Sequence, residues 1–547
     1  MSVETHDVTN QPTVPADCNA YTTDRPLQEA IAQFGGSANA TVLSEFGALA
    51  GSRQALENGR LANQHPPEFR SHDRYGNRID QVDFHPSYHD FMAQSTQWGL
   101  HALDWNEPTL EQHLTRTALF YLQNQVEAGH CCPITMTHAC IPTLMHEPEL
   151  AAAWVPKILA CHYDGANKPD SEKTAVTIGM AMTEKQGGSD VRTNTTQAEL
   201  IPHTQGQHYV LTGHKYFVSA PMSDAFLTLA QTPKGLTCFL MPRWRPDGSK
   251  NSLFIQQIKD KMGNVSNATS EMELRDTFAW KIGESGRGIA NILQMVSLTR
   301  FDCMVGSAGG MRRALSEAIY HADNRQAFGD YLSSQPLMTN VLADLAIESD
   351  AALWMSMRIG RAQALANASE EEQLLSRIAV AIGKYWVCKR TPEHAYEAME
   401  VLGGSGVMES TDMPRLFRES PVNAIWEGSS NVQCLDILRA MQKSPDSQTV
   451  FFDELHRAKG LHANYDNALT RLIAAVKNDQ DIQYRARDTA GQMALLFQGA
   501  QLLMTGNQTV AEAFCASRLS KDRSLVYGAL PVGLDTAAII DRARRIK

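Results

Sequence analysis

Glu427 sits in NAIWEGSSNVQC (423–434), with the bulky Trp426 before it and the small run Gly428–Ser429–Ser430–Asn431 after it. A carboxylate walled by an aromatic ring and flanked by accessible backbone could be a desolvated base beside a bound cofactor, since burial raises a carboxyl pKa and suits it to proton abstraction. The same residues also suit a polar turn. Four other stretches carry chemistry. In AMTEKQGGSD (181–190), Gly187 and Gly188 let backbone approach a ligand closely, and Thr183 and Ser189 add hydroxyls; read alone, the stretch is also an ordinary turn. GHKYFVS (213–219) reads as a strand with Phe217 and Ser219 on one face. That is the aromatic wall and hydroxyl a planar cofactor ring needs, or simply a half-buried strand. DNRQAFG (323–329) ends a helical pattern in Arg325, able to grip a pyrophosphate through two N–H groups or to complement the helix dipole. EVLGGSG (400–406) is no dinucleotide fingerprint, because it follows a helix and GGxG is not GxGxxG. It fits a helix end where backbone meets a ligand.

These residues need elements to hold them. A chain of 547 residues exceeds what one hydrophobic core serves, so several domains are expected. Residues 1–75 are rich in Pro, Asn and Gly around one helical patch, TVLSEFGALAGSRQALENGRLAN, and the pattern from about 85 to 180 is helical. From about 180 to 285 the period shortens towards two, in HYVLTGHKYFVSAP, AFLTLAQT, LTCFLMPR and LFIQQIKDKMG. These strands alternate with turns rather than helices, which predicts an antiparallel sheet or barrel. After GESGRGI come three long helical stretches, roughly 288–327, 337–368 and 371–402, the long members of a bundle. SPDSQT (444–449) reads as a linker, and 450–527 is helical again. The expected domains are 1–180, an N-terminal extension and helical domain; 181–285, a middle β-domain; 286–443, a helix bundle; and 444–547, an additional helical domain.

The net charge of −11 argues against a polyanion binder as a whole and leaves only a local basic face for such a partner. Ten cysteines without a CxxC pair read as buried thiols of a reducing compartment. His138 and Cys140 lack a second ligand pair at metal spacing, so no metal is expected. The N-terminus has no basic region followed by an apolar core, and no run of about 18 apolar residues occurs. A cytoplasmic protein without a membrane span is expected.

In this order, and across this helical–β–helical division, the five motifs resemble the acyl-CoA dehydrogenase family of FAD enzymes over residues 90–440. The resemblance implies a mainly α fold with a central antiparallel β-domain: a helical domain, the β-domain and a four-helix bundle, here with an extra C-terminal helical domain. FAD would lie between domains and at a subunit interface. NQHPPEFRSHDRYGNRIDQVDFHPSYHDFM, CPITMTHACIP, GMAMTEKQGGSDV and PVNAIWEGSSN, with the added helical module, look like the AidB subgroup, associated with the bacterial adaptive response to DNA alkylation.

Carried over, the resemblance puts Met182, Thr183, Gly188 and Ser189 at the flavin, with Phe217, Val218 and Ser219 along its ring. Arg325 and Gln335 would hold the pyrophosphate and adenosine part of a neighbouring subunit's FAD. Gly404, Trp426, Ser429 and Asn431 fall at further contacts, and Arg300 is a candidate pocket charge. Glu427 takes the place of the catalytic base that removes an acyl-CoA α-proton. The subgroup further implies a homotetramer, weak dehydrogenase activity, inactivation of alkylating agents and binding of duplex DNA through the added domain. Residues 441–547 carry 14 Lys and Arg against 11 Asp and Glu, whereas residues 1–440 carry 35 against 49. The tail DRARRIK (541–547) and Arg439 are the cationic candidates, and no DNA-reading motif is present. The alternatives are a genuine acyl-CoA dehydrogenase feeding an electron-transfer flavoprotein, and a DNA-binding protein in which FAD is structural.

Overall fold

A computed structural model describes residues 5–14, 17–202, 208–478, 480–504, 507–522 and 524–545. The chain forms two compact units, each drawn from separated stretches: Leu56–Pro108 with Glu127–Asp302, and Met1–Ala55 with Thr109–Val126 and Cys303–Lys547.

The first unit is built on β-structure. A hairpin, β1 (Glu68–His72) and β2 (Arg78–Asp83), precedes α1 (Pro86–Gln97) and α2 (Cys131–Ala139). Seven strands follow: β3 (Ile178–Ala181), β4 (Gln197–Leu200), β5 (His208–Ser219), β6 (Ala225–Thr232), β7 (Gly235–Pro242), β8 (Leu253–Ile258) and β9 (Thr269–Ile282). Their order is β3-β6-β4-β5-β9-β7, with β8 on β9, and a further β6–β7 pairing closes the sheet on itself. Closure removes the unpaired edges that an open sheet would expose. The inside is filled by Leu211, Val218, Phe226, Phe239, Met272 and Leu274, and Val82 of β2 packs into the same core. The sheet is not wholly antiparallel: β3 and β4 each run parallel to β6. A parallel partner needs a long connection, which the 182–224 stretch supplies for β3. The helical pattern expected up to residue 180 stops at Ile158, and a loop leads into β3.

The second unit is helical. The early helical patch is two helices, Ala40–Ala50 in this unit and Arg53–Gln64, which belongs to the first unit from Leu56 onward. They part at Gly51, where a Cβ would fall 2.0 Å from the Cys18 carbonyl oxygen. α3 (Gly288–Asn324) belongs to this unit from Cys303 onward. A two-strand hairpin, β10 (Gln326–Ala327) and β11 (Asp330–Tyr331), leads to α4 (Pro336–Leu365), α5 (Glu370–Val401) and α6 (Ser430–Lys443). Then come α7 (Pro445–His456), α8 (Ala463–Lys477), α9 (Ala486–Met504), α10 (Gln508–Arg518) and α11 (Thr536–Ala543). SPDSQT is therefore not a linker. Ser444 alone separates α6 from α7, and Pro445 starts the new helix at the position where its missing N–H costs nothing.

Buried ion pairs fasten the later helices to the bundle. Arg358 on α4 meets Glu454 of α7 at 2.7 Å, and Arg542 of α11 meets Asp350 of α4 at 2.8 Å. Arg518 of α10 and Arg390 of α5 share Glu348, at 3.1 and 3.2 Å. No helix among the described residues is long and apolar enough to cross a membrane.

Candidate functional site

In the β unit, the loop after β3 is organised around one buried carboxylate. Glu184 accepts from Lys215 Nζ at 2.9 Å, from the Thr196 hydroxyl at 2.6 Å, from the Thr195 backbone N–H at 2.7 Å and from Gln186 Nε2 at 2.7 Å. Burial alone would raise its pKa, but the Lys215 ammonium and these hydrogen bonds outweigh that and lower it to about 2. The loop thus wraps around a fixed negative charge. Thr183 O accepts from the Tyr216 N–H at 2.8 Å, and Met182 O from Asn194 Nδ2 at 2.9 Å, tying the segment to β5 and to its own far end. A Cβ on Gly187 would fall 2.2 Å from Thr193 Oγ1, so this tight turn needs glycine. Gly188 and Ser189 lie at the exposed tip.

On β5 the alternation is as the sequence predicts. Val218 points into the core, so only its backbone is open to a ligand. Phe217 stands outward with 48% of its surface exposed, and Ser219 is half-buried. Ser219 Oγ lies 3.1 Å from Thr269 Oγ1, and Thr269 Oγ1 in turn accepts from Lys261 Nζ at 2.8 Å. Lys259 Nζ sits 3.4 Å from the Tyr216 ring centroid and pairs with Glu271 at 3.2 Å. Lys259, Lys261 and Thr269 were not singled out from the sequence, because what brings them to β5 is the pairing of Ser219 with Thr269 across strands. The same unit holds a cavity of about 150 Å³ bordered by Asp83, His89, Tyr163, Lys173 and Ser223. His89 Nδ1 and the Tyr163 hydroxyl share a hydrogen bond of 3.0 Å there. Elsewhere Ser95, His130 and Glu127 stand in a hydrolase-like row at 2.9 and 2.6 Å, yet all three are buried, and Glu127 also takes the Gly129 N–H at 2.8 Å. That row braces the turn into α2.

In the helical unit, Glu427 follows the one-turn helix Val422–Ile425 and has φ +57°, the left-handed region that costs a non-glycine residue about 1–2 kcal/mol. What holds it there is a clamp the sequence did not reveal. Lys384 of α5, 1% exposed, donates to Trp426 O at 2.8 Å and to Gly428 O at 2.5 Å, the carbonyls on either side of Glu427. Gln433, fully buried on α6, donates to Glu427 O at 3.1 Å and Gly428 O at 2.9 Å. The Trp426 indole N–H donates to Asn423 Oδ1 at 2.8 Å, which fixes the ring. Ser429 caps α6 without spending its hydroxyl on the cap. Asn431 Oδ1 accepts from Arg487 of α9 at 2.8 Å.

Gly404 falls in a 3-10 turn, Gly403–Val407, just past the end of α5, and a Cβ there would meet nothing of the chain within 4 Å. Arg325 is the first residue after α3, and its carbonyl accepts from the Leu332 N–H at 2.9 Å across the β10–β11 hairpin. Gln335 Nε2 donates to Ala327 O at 3.2 Å, so both residues belong to one small hairpin. Phe328 at its tip is wholly exposed, with φ +55°.

Within each unit the groups present suit FAD: the β unit offers an exposed aromatic ring and a hydroxyl on one face of β5 with a glycine-rich loop, and the helical unit offers an arginine whose Nε and Nη2 have no partner among the described residues. The basic tail does not form a free patch. Arg542 is spent on Asp350 and Glu29, Arg544 on Asp323 and Asp541, and Arg545 on Gln125. Lys547 lies outside the described residues. Arg300 is half-buried on α3, and Arg439 is exposed on α6.

Three family models match the chain in sequence: the adaptive response protein AidB N-terminal domain over residues 10–165, the acyl-CoA dehydrogenase middle domain over 179–277 and its C-terminal domain over 286–442. The chain is 42% identical to the putative acyl-CoA dehydrogenase AidB of Escherichia coli K12, covering 94% of each. It is 28% identical to acyl-CoA dehydrogenase family member 11 of Caenorhabditis elegans, covering 86% of this chain and 78% of that one. Among solved structures, ACDH-11 of C. elegans in complex with C11-CoA superposes with a TM-score of 0.86 at 27% identity, covering 94% and 93%. The fold, the motif series and this likeness along nearly the whole length agree: the chain belongs to the AidB branch of the acyl-CoA dehydrogenase family, FAD-dependent oxidoreductases acting on CH–CH groups.

Proposed function

We propose that the protein dehydrogenates an acyl-CoA thioester between its α and β carbons, with Glu427 as the base. The observation that carries this is the clamp on Glu427: two buried donors hold the carbonyls around it and fix a strained backbone at one acidic residue. Strain maintained in this way is characteristic of functional positions. The Glu427 carboxylate takes the α-proton; the pair left on the α-carbon forms the double bond as the β-hydrogen departs with its own pair. Bound FAD supplies the acceptor for that hydride. Trp426 excludes water from the base, and Phe217 and Ser219 provide the wall and hydroxyl at the ring. Met182, Thr183, Gly188, Ser189, Gly404, Ser429 and Asn431 complete the contacts. Arg325 and Gln335 serve the FAD of a neighbouring subunit in a homotetramer. The relative crystallised with C11-CoA supports a thioester of this class. The division into four sequential domains and a cytoplasmic location belong to the same reading.

The test is an anaerobic titration with acyl-CoAs of different chain length, following flavin absorbance. Bleaching by one chain class, abolished in Glu427→Gln with FAD content unchanged, is expected. Bleaching that survives the substitution removes Glu427 from the chemistry.

A second reading, duplex-DNA binding in the alkylation response, draws on the adaptive-response N-terminal match and on a groove of about 300 Å³ in the helical unit bordered by Arg471, Arg518 and Lys521. Arg518 is already paired with Asp344 and Glu348, so Arg471 and Lys521, with Arg439, are the cations this reading uses. Such binding weakens steeply with salt. Duplex affinity that ignores both salt and the Arg471→Gln/Lys521→Gln double substitution rejects it.

A further inference from the structure

The N-terminal segment reaches the hairpin that carries Arg325. Asn10, with φ +53°, pairs its side-chain amide with the backbone of Gln326: Gln326 N–H donates to Asn10 Oδ1 at 2.7 Å, and Asn10 Nδ2 donates to Gln326 O at 2.9 Å. One residue earlier, Arg325 Nη1 donates to the Asn10 carbonyl. Three residues on, the Thr13 hydroxyl meets the Tyr320 hydroxyl on the last turns of α3 at 2.9 Å. The Asn10 amide thus acts as a one-residue strand on the open edge of β10, an edge that β11 leaves unpaired. Asparagine suits the post, because it tolerates the left-handed backbone and offers donor and acceptor together.

This arrangement fixes the guanidinium by one corner. With Nη1 held by Asn10 O, the Nε–Nη2 edge is the side that stays open, and that edge presents two parallel N–H groups to an oxyanion. Gln335 is held to Ala327 O of the same hairpin. We infer that Asn10 is a positioning residue for the pyrophosphate of FAD: the N-terminal segment pre-orients Arg325 and its hairpin, so that FAD binding need not pay to order them. The inference rests on the assignment of Arg325 to the cofactor made above. The hairpin backbone, rather than a direct contact with FAD, carries the effect of Asn10.

The test measures FAD binding by the full-length protein, stripped of flavin, by flavin fluorescence quenching. Unaltered protein, Asn10→Ala, Arg325→Ala and the double variant are compared, with thermal melting of the apoprotein as the folding control. Loss of the two side-chain bonds is expected to weaken FAD about ten-fold. It should do so without lowering the melting temperature, and the effect should vanish in the Arg325→Ala background, as coupled residues require. Asn10→Gly keeps the left-handed backbone and removes the same two bonds, so it should match Asn10→Ala. A loss with alanine alone traces to backbone strain and overturns the inference. If Arg325→Ala weakens FAD and Asn10→Ala does not, the role of Asn10 falls while that of Arg325 stands. If Arg325→Ala leaves FAD affinity unchanged, both fall together.

Discussion

Replacing Lys384 with methionine separates the clamp from the base it holds. Methionine keeps much of the buried volume and leaves no unpaired charge behind, so the substitution removes the two hydrogen bonds to Trp426 O and Gly428 O and little else. Hydrogen bonds from a charged donor contribute roughly 1.5–3 kcal/mol each, or about 3–6 kcal/mol for the pair. The left-handed backbone at Glu427 stores about 1–2 kcal/mol in the opposite direction. Gln433 still holds Glu427 O and Gly428 O, but as a neutral donor its two bonds are worth only about 0.5–1.5 kcal/mol each. The balance tips from firmly clamped to marginal, and the Glu427 backbone is free to relax. A base displaced by about 1 Å loses on the order of 100-fold in rate. Single-turnover, anaerobic bleaching of the flavin by acyl-CoA is the assay, with the dissociation constant of acyl-CoA measured alongside. A rate fall of that order with little change in binding is expected, and Gln433→Leu should cost less. A Lys384→Met protein that bleaches within about two-fold of the unaltered rate refutes the reasoning, because the smaller remaining clamp would then suffice.

Other outcomes follow from the β unit and the glycines. Glu184→Gln leaves the Lys215 ammonium buried without its counter-charge, a loss of about 3–5 kcal/mol that should lower the urea midpoint and release FAD; Lys215→Met in the same chain should recover part of it. Because the Glu184 pKa is lowered from an ordinary 4.5 to about 2, its stabilisation is complete at neutral pH. It should fade as pH falls from about 4.5 towards 2, and an acid titration of the Gln variant should lack that component. Gly404→Ala should leave apoprotein melting unchanged, since its Cβ meets nothing, while weakening FAD in equilibrium dialysis. Gly187→Ala, forced against Thr193 Oγ1, should lower both.

The long helices were legible because they run for thirty residues with few breakers, and their ends fell within a few residues of the expected positions. The barrel strands were legible from their period of two. The parallel pairings to β6 were not, since period says nothing about which strand lies beside which. The β1–β2 hairpin escaped notice because its apolar residues are few, and SPDSQT looked like a linker because Ser, Pro and Asp begin helices as readily as they fill loops. At the site, Glu427, Phe217 and Arg325 stood out through their neighbours in sequence. Lys384 in IGKYWVCKR looks like any surface cation, and only the fold brings it beneath Trp426 and Gly428. The tail DRARRIK misled in the opposite sense. Charge counting sees three arginines but not Asp350, Glu29 and Asp323, which lie hundreds of residues away and absorb Arg542 and Arg544, nor Gln125, which takes Arg545.

Those distant partners govern how the chain matures as it is made. Asp350 on α4 waits for Arg542, 192 residues later, and Glu29 near the start waits 513 residues for the same guanidinium. Asp344 waits for Arg518, whereas Glu348 meets Arg390 only 42 residues on. At about 5–20 residues per second, α4 is out of the ribosome for many seconds while Asp344 and Asp350 lack the arginines that will accompany them into the interior. The helices can form in that interval, but the bundle cannot close dry around unpaired charges. The β unit, with Glu184 and Lys215 only 31 residues apart, has no such delay. Synthesis therefore delivers a finished barrel attached to an unfinished bundle, and α11 completes the set of charges that Glu29 began.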